Sequence, residues 1–137
     1  MKILLLTIAF FGGLLLPACS KTSRTTGNNL VNGKWELRQQ LGGIVARIDY
    51  EPGNGNTYIF TSDGNFQATN ANIPSRAGTY KLKAAANNSD WLLTFQYIQN
   101  GQTQIQTDSV RFSNNQLIFL PQASCCDIAT VYYEHLQ

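Results

Sequence analysis

The most reactive side chains in the sequence are two adjacent thiols, Cys125 and Cys126, which Asp127 follows directly. Adjacent Cα atoms are about 3.8 Å apart, whereas a disulfide usually spans about 4.4 to 6.8 Å. A bond between the two sulfurs would therefore be strained and easily reduced, which is the chemistry of a redox pair. The other interpretation is a loop tip whose thiols are free or merely oxidised, and the residue pattern favours it.

Metal and catalytic chemistry find little support in the sequence. A zinc site usually needs four ligands, and the cysteine pair has only Asp127 and the single histidine, His135, to complete it. No nucleophile accompanies His135, which is interpreted as an exposed residue of a terminal strand. No glycine-rich loop leads into a helix, as a phosphate-binding loop would. We therefore expect no metal, no cofactor and no enzymatic activity.

The chain begins with the pattern of a secretory signal. Lys2 precedes a run of apolar and small residues from Ile3 to Leu16, which only Thr7 interrupts. A membrane-spanning helix needs about 20 apolar residues, and this run is shorter and ends at Pro17 before a polar stretch. Residues 1–18 are therefore predicted to be an export signal that is removed from the mature protein.

The residues around Cys19 resemble the lipobox of bacterial lipoproteins. In Leu16-Pro17-Ala18-Cys19, a long apolar residue lies three positions before the cysteine and a small residue lies directly before it. The resemblance implies that Cys19 carries a lipid that attaches the chain to a membrane. Aspartate in the position of Ser20 would favour the inner membrane, so the resemblance favours the outer membrane. Residues 19–31 are then the lipidated cysteine and a flexible polar tether.

Composition limits the partners and the size of the folded part. The 137 residues include 10 Lys and Arg and 8 Asp and Glu, and neither sign forms a run, so no nucleic-acid-binding surface is expected. Aromatic residues make up 11% of the chain, which favours a folded core over general disorder. Residues 32–137 are predicted to form one domain.

From residue 32 onward, the sequence consists of short alternating segments separated by Gly, Asn and Pro. This pattern predicts an all-β fold in which one face of each strand looks towards the core. In the first strand, Trp35 and Leu37 share one face, and Glu36 lies on the other. The predicted strands cover residues 34–41, a less regular 44–50, 57–61, 66–70, 78–83, 91–98, 103–112, 116–120 and 130–136.

Short connections predict that strands adjacent in the sequence are antiparallel neighbours in the sheet. Asp63-Gly64 and Asn100-Gly101 are typical of hairpin turns because both glycines tolerate a positive φ. About eight such strands predict an antiparallel up-and-down β-barrel, and a two-sheet β-sandwich is the alternative. An eight-stranded barrel has an interior just wide enough for side chains or for one small ligand.

The opening of the first strand, Gly33-Lys34-Trp35, resembles the Gly-x-Trp start of the lipocalin family. The later order of features, including Gly78-Thr79-Tyr80-Lys81-Leu82 and a tyrosine-rich last strand, is similar to the lipocalin-like domains of bacterial lipoproteins. Lipocalins usually place an arginine over that tryptophan late in the chain. The last arginine of this sequence is Arg111.

The resemblance implies that the barrel interior binds a small hydrophobic or amphipathic molecule. The residues expected to line that interior are aromatic: Trp35, Tyr58, Phe60, Phe66, Tyr80, Phe95, Tyr97 and Tyr133. Plain packing is the alternative for these residues, because aromatic side chains dominate protein cores. For the whole protein, the alternative is an envelope interaction module or inhibitor that takes no small-molecule ligand.

Overall fold

A computed structural model describes residues 28–42, 46–121 and 129–137. The predictions for the signal segment 1–18, for Cys19 and for the pair Cys125 and Cys126 lie outside these residues. No helix in the described ranges is long and apolar enough to span a bilayer.

The described residues form one short helix and nine strands. The helix α1 covers Asn28–Val31 and leads directly into the first strand. The strands are β1 (Gly33–Leu41), β2 (Arg47–Asp49), β3 (Thr57–Phe60), β4 (Asn65–Asn70), β5 (Ile73–Ala84), β6 (Trp91–Gln99), β7 (Gln102–Ser113), β8 (Gln116–Phe119) and β9 (Thr130–Leu136). Each predicted strand has a counterpart, so the all-β prediction is confirmed.

The strands close into an antiparallel barrel. From β3 to β9 each strand pairs with the next in the sequence, and β1 pairs with β3 on one side and with β9 on the other. The additional strand β2 pairs with Gln39, Gln40 and Leu41, beyond the ladder between β1 and β3. Eight strands therefore close the barrel, which confirms the up-and-down barrel over the sandwich. All of the paired strands lie between Gly33 and Leu136.

The two ends of the barrel are named by the elements that lie at them. We call the end that carries α1 the lower end, and the end with the β4–β5 and β6–β7 turns the upper end. The predicted turn at Asn100-Gly101 lies at the upper end, with φ values of 52° and 74°. Positive φ at both central residues is the geometry that matches the twist of a two-residue hairpin, so this turn is confirmed.

Two elements differ from their predicted bounds. β5 begins at Ile73 instead of residue 78, and its first residues pair with β4 only. Pro74 is tolerated there because it lies at an irregularity of the β4–β5 ladder and has no partner in β6. Residues 28–31, expected to belong to the tether, form α1. Val31 is fully buried, and its carbonyl oxygen accepts a hydrogen bond from the indole N–H of Trp35 at 2.7 Å.

The lower part of the barrel is filled by side chains from alternating strand positions. Leu93, Val110 and Leu117 are fully buried there. The rings of Phe60 and Tyr80 meet edge to face, with centroids 4.9 Å apart. The Tyr80 hydroxyl donates a hydrogen bond to the carbonyl oxygen of Thr61 at 2.9 Å, so this core phenol has a polar partner.

Glu36 differs from the solvent-facing position that alternation predicted. It lies on the outer face of β1 but is only 4% exposed. The backbone N–H of Gly53, in the loop between β2 and β3, donates to its two carboxylate oxygens at 3.0 and 3.2 Å, and Arg38 forms an ion pair with it. Burial raises the pKa of Glu36, but the hydrogen bonds from Arg38 and Gly53 outweigh that effect and leave the pKa below its ordinary value.

Candidate functional site

The eight aromatic residues predicted for the barrel interior lie in or against the core. Tyr58 and Tyr133 are partly buried, and the others are buried: Trp35, Phe60, Phe66, Tyr80, Phe95 and Tyr97. The ring of Tyr58 stacks with those of Phe95 and Phe119, at centroid distances of 5.7 and 5.6 Å. It meets Tyr133 edge to face at 5.2 Å. Tyr58 thus joins the lower aromatic core to the upper end, while ligand binding by these residues stays a prediction.

Polar side chains gather at the upper end, above the aromatic core. We call this group the upper polar cluster, and its members are Tyr58, Arg76, Tyr97, Gln106, Asp108 and Tyr133. The two-residue period of a strand puts Arg76 on the same side of β5 as the buried Tyr80, and Asp108 on the same side of β7 as the buried Val110. Strand alternation therefore turns these polar groups inward.

A chain of hydrogen bonds connects the cluster across three strands. Nη1 of Arg76 donates to the Tyr97 hydroxyl at 3.3 Å, and the guanidinium carbon lies 5.1 Å from the centre of the Tyr97 ring. The Tyr97 hydroxyl donates to Oε1 of Gln106 at 3.4 Å, and Nε2 of Gln106 donates to Oδ2 of Asp108 at 2.8 Å. The contacts of the Tyr97 hydroxyl with Arg76 and with Gln106 are both long for hydrogen bonds. The Tyr97 hydroxyl therefore holds the guanidinium of Arg76 only weakly.

Burial controls the protonation of the cluster. Burial raises the pKa of the Tyr58 hydroxyl, and the charge of Arg76 lowers that pKa to a smaller degree. Burial and the neighbouring Tyr58 raise the pKa of Tyr133. Both phenols are therefore neutral hydrogen-bonding groups at neutral pH. Burial also raises the pKa of Asp108, against the opposing effects of Gln106 and Arg76, so this carboxyl ionises less readily than an exposed aspartate.

A small cavity lies beside the cluster. Its volume is about 80 Å³, and its lining includes Tyr58, Arg76 and Tyr133, with Ile73 and Pro74 on the side of the β4–β5 turn. Sites for drug-sized molecules usually measure about 300 to 1,000 Å³. The interior cavity alone can therefore hold only a small group, such as one end of a larger ligand.

A larger cavity of about 480 Å³ lies at the lower end, between α1 and the β7–β8 turn. Its lining includes Asn114 and Asn115, whose φ values are 47° and 64°. Asparagine tolerates this left-handed geometry, so turn formation accounts for both residues. In addition, no Asp, Glu, Lys or Arg side chain lines the cavity to fix the orientation of a ligand, and its one titratable group, His135, packs on Trp35. The upper polar cluster is therefore the stronger candidate site.

His135 has a structural position at the lower end. Its ring meets that of Trp35 edge to face, with centroids 4.7 Å apart. Nε2 of His135 lies 3.3 Å from the carbonyl oxygen of Asn32, to which it donates when it carries a proton. The side chain is half-buried, in contrast to the exposed terminal histidine that the sequence suggested.

Three members of the cluster were missed in the sequence: Arg76, Gln106 and Asp108. Arg76 lies in a segment that was predicted to be a loop, so it was assigned to no face. A signal for the other two was present, because Gln106 and Asp108 alternate in register with Val110 and Phe112, which are clearly apolar. Continuing that face towards the start of β7 would have placed both residues on the inward side of the strand, where Asp108 is half-buried and Gln106 is exposed.

Among the described residues, no group of three or more His, Cys, Asp or Glu side chains is arranged to hold a metal ion.

Comparisons with known proteins add no family assignment to this geometry. No family model, no curated protein and no solved structure matches the chain.

Proposed function

We propose that this chain is an exported lipoprotein, attached to the cell envelope through a lipid on Cys19, whose lipocalin-like barrel binds a small amphipathic molecule at its upper end. The observation that carries the binding part is the upper polar cluster beside the interior cavity of about 80 Å³. Withdrawing charged and phenolic groups from water costs free energy unless they gain partners. A ligand that supplies those partners would account for their place in a barrel otherwise filled by aromatic rings.

The shape of the interior favours an amphipathic ligand over a purely hydrophobic one. The fully buried Phe60, Leu93 and Leu117 occupy the lower barrel, so a bound molecule would reach only the upper part. There it would meet the hydroxyls of Tyr58 and Tyr133 and the guanidinium of Arg76. These groups suit a polar end, whereas the tyrosine ring faces suit apolar atoms.

The lipocalin resemblance gains support from the surroundings of Trp35. The sequence has no late arginine to cover this tryptophan, but His135 packs on it edge to face and hydrogen-bonds the backbone before β1. A side chain from the end of the chain that covers this tryptophan supports the resemblance, although the residue is a histidine and not an arginine. A half-buried imidazole with a backbone partner can fill that structural role.

Native mass spectrometry tests the ligand-binding proposal. Residues 20–137, which contain all of the paired strands, would be produced in the original host behind a cleavable export signal without a lipobox and purified without detergent. We expect a co-purified small molecule, with lower occupancy in Tyr133→Phe, which removes a cavity hydroxyl. Tyr132→Phe, one residue along β9 and outside the cavity lining, is the matched control and should keep full occupancy. Ligand-free protein under all conditions would refute the proposal.

Metabolic labelling with an alkyne-tagged fatty acid tests the anchor. The full-length chain should incorporate the label and fractionate with membranes. Cys19→Ala should lose both properties, whereas Cys125→Ala should keep them because its thiol is outside the lipobox. Label that persists in the Cys19→Ala variant would show that the anchor has been assigned to the wrong residue.

An envelope interaction module is the second candidate, because the outer face of β6 and β7 carries two highly exposed isoleucines. Ile98 is 74% exposed and Ile105 is 70% exposed. Exposed apolar patches often mark interaction surfaces. Photo-crosslinking from position 105 in the native envelope should then give one dominant protein adduct. A spread of weak adducts would count against this candidate.

A further inference from the structure

The barrel wall opens beside the upper polar cluster. The ladder between β5 and β6 ends at the pair Gly78 and Tyr97. Above this pair, β5 continues to Ile73 and pairs only with β4, while β6 continues to Gln99 and pairs only with β7. The two strands therefore part towards the upper end. A surface groove of about 220 Å³ occupies the gap.

The groove and the interior cavity meet at Arg76. Both are lined by Ile73, Pro74 and Arg76, and the groove also includes Ile98. Ile73 is 56% exposed and Ile98 is 74% exposed, so an apolar surface flanks the guanidinium on the outside. On the inside, the guanidinium faces the tyrosines of the cavity. A molecule lying across the wall would thus meet a cation at the junction and apolar side chains in the groove.

Arg76 differs from the other arginines of the described ranges in its partners. Arg38 pairs with Glu36 and Glu134, Arg47 with Asp49, and Arg111 with Asp90. Arg76 has no carboxylate within ion-pair distance in the part of the chain that the structure describes. Its guanidinium donates to the Tyr97 hydroxyl at 3.3 Å, and the Tyr58 hydroxyl is a second hydrogen-bonding neighbour. A guanidinium has five N–H donors, so most of those of Arg76 remain available to an anion.

We infer that the ligand is an anionic amphiphile with a single alkyl chain. Its carboxylate or phosphate binds Arg76 at the junction, and its chain lies in the groove along Ile73 and Ile98. This inference rests on the proposed function and specifies the ligand of the same site. The planar guanidinium matches a carboxylate or phosphate through two parallel hydrogen bonds. The groove supplies the apolar contact area that the small interior cavity lacks.

The inference is tested by comparing ligands that differ in their head groups. Binding of decanoate, decyl phosphate, decanol and decyltrimethylammonium to residues 20–137 would be measured by calorimetry below their micellar concentrations. Decanoate or decyl phosphate should bind at least about tenfold more tightly than decanol, as expected for a charge-assisted hydrogen bond. The cation should bind most weakly. Inorganic phosphate alone should bind much more weakly than decyl phosphate, because it has no chain.

Two pairs of variants locate the head group and the chain. Arg76→Gln should remove the preference for the anion over decanol, while Arg76→Lys should keep part of it because the charge remains. Ile98→Thr should weaken anion and alcohol alike. Ile105→Thr is the matched control, because Ile105 is equally exposed but lies outside the lining of the groove. Thermal unfolding would show that each variant is folded.

The outcomes separate the inference from the proposed function. Equal binding of decanol and decanoate, unchanged by Arg76→Gln, would overturn the anionic head group and leave amphiphile binding intact. If inorganic phosphate binds tightly and Ile98→Thr leaves its affinity unchanged, the proposed binding of an alkyl chain in the groove is wrong. Failure of every decyl compound, together with ligand-free protein in native mass spectrometry, would remove the proposed function itself.

Discussion

Replacement of Gly33 by alanine tests why the first strand opens with glycine. Gly33 has a φ of 121°, which L side chains rarely adopt. A Cβ atom added there would lie 2.2 Å from Nε2 of His135. The substitution therefore combines backbone strain with a steric clash against the imidazole that packs on Trp35.

The two effects can be estimated separately. Backbone strain of this kind costs about 1–3 kcal/mol. Displacing His135 would break its hydrogen bond to the Asn32 carbonyl, worth about 0.5–1.5 kcal/mol, and its ring contact with Trp35, worth another ~0.5–1.5 kcal/mol. Gly33→Ala should therefore lower the free energy of unfolding by about 2–6 kcal/mol, a large share of the ~5–15 kcal/mol of a typical domain.

Urea unfolding of residues 20–137 provides the assay, in a double-mutant cycle with His135→Ala. Once the imidazole is gone, Gly33→Ala should cost only the backbone strain, so the two substitutions should couple by about 1–3 kcal/mol. Gly55→Ala is the control for strain alone, because Gly55 has a φ of 79° and no atom within 4 Å of its added Cβ.

Two results would refute the reasoning about Gly33. If Gly33→Ala costs the same with and without the imidazole, contact with His135 is not the reason for the glycine. If it costs no more than Gly55→Ala, neither the clash nor the particular backbone geometry of Gly33 matters for stability.

Other substitutions test the remaining features. Glu36→Gln should cost about 1–3 kcal/mol at pH 7 through the weakened bonds to Arg38 and Gly53. Because the folded pKa of Glu36 is lowered, this difference should shrink in acid unfolding experiments as the pH falls below about 4.3. Asp108→Asn should raise the melting temperature at pH 7 but not near pH 4, because the folded pKa of Asp108 is raised and its ionised form is the destabilised one. Gly78→Ala should cost about 1–3 kcal/mol in urea unfolding, because its Cβ would lie 2.1 Å from the Gln96 carbonyl oxygen.

Much of the barrel could be predicted because it depends on local rules. Alternation places Trp91, Leu93 and Phe95 on one face of β6, and the turn at Asn100-Gly101 sets where β6 ends and β7 begins. Closure does not follow from local rules, since a sandwich can be built from similar strands. The distinction comes from the long-range ladder between β1 and β9, which no local pattern specifies.

The candidate site was harder to predict because its key residues break the local rules. Pro74 and the polar residues after it show no strand-like alternation at the start of β5. Arg76 could therefore not be assigned to the interior from the sequence. The burial of Glu36 likewise depends on a loop that folds over the outer face of β1. Aromatic side chains such as Tyr58 were predictable as interior residues, but only the structure distinguishes those that fill the core from those that border the cavity.

The buried Glu36 and the half-buried Asp108 show how a structural ion pair differs from a carboxylate at the candidate site. Glu36 has strong partners in Arg38 and Gly53, and its pKa is lowered, so its charge stabilises the fold. Asp108 has one close partner, Gln106, and its pKa is raised, so its charge opposes folding. A polar group that lowers stability is expected to persist where function requires it. Removing the Glu36 charge should therefore lower the free energy of unfolding without changing the preference among the decyl ligands. Removing the Asp108 charge should stabilise the protein and strengthen the anion binding proposed at Arg76.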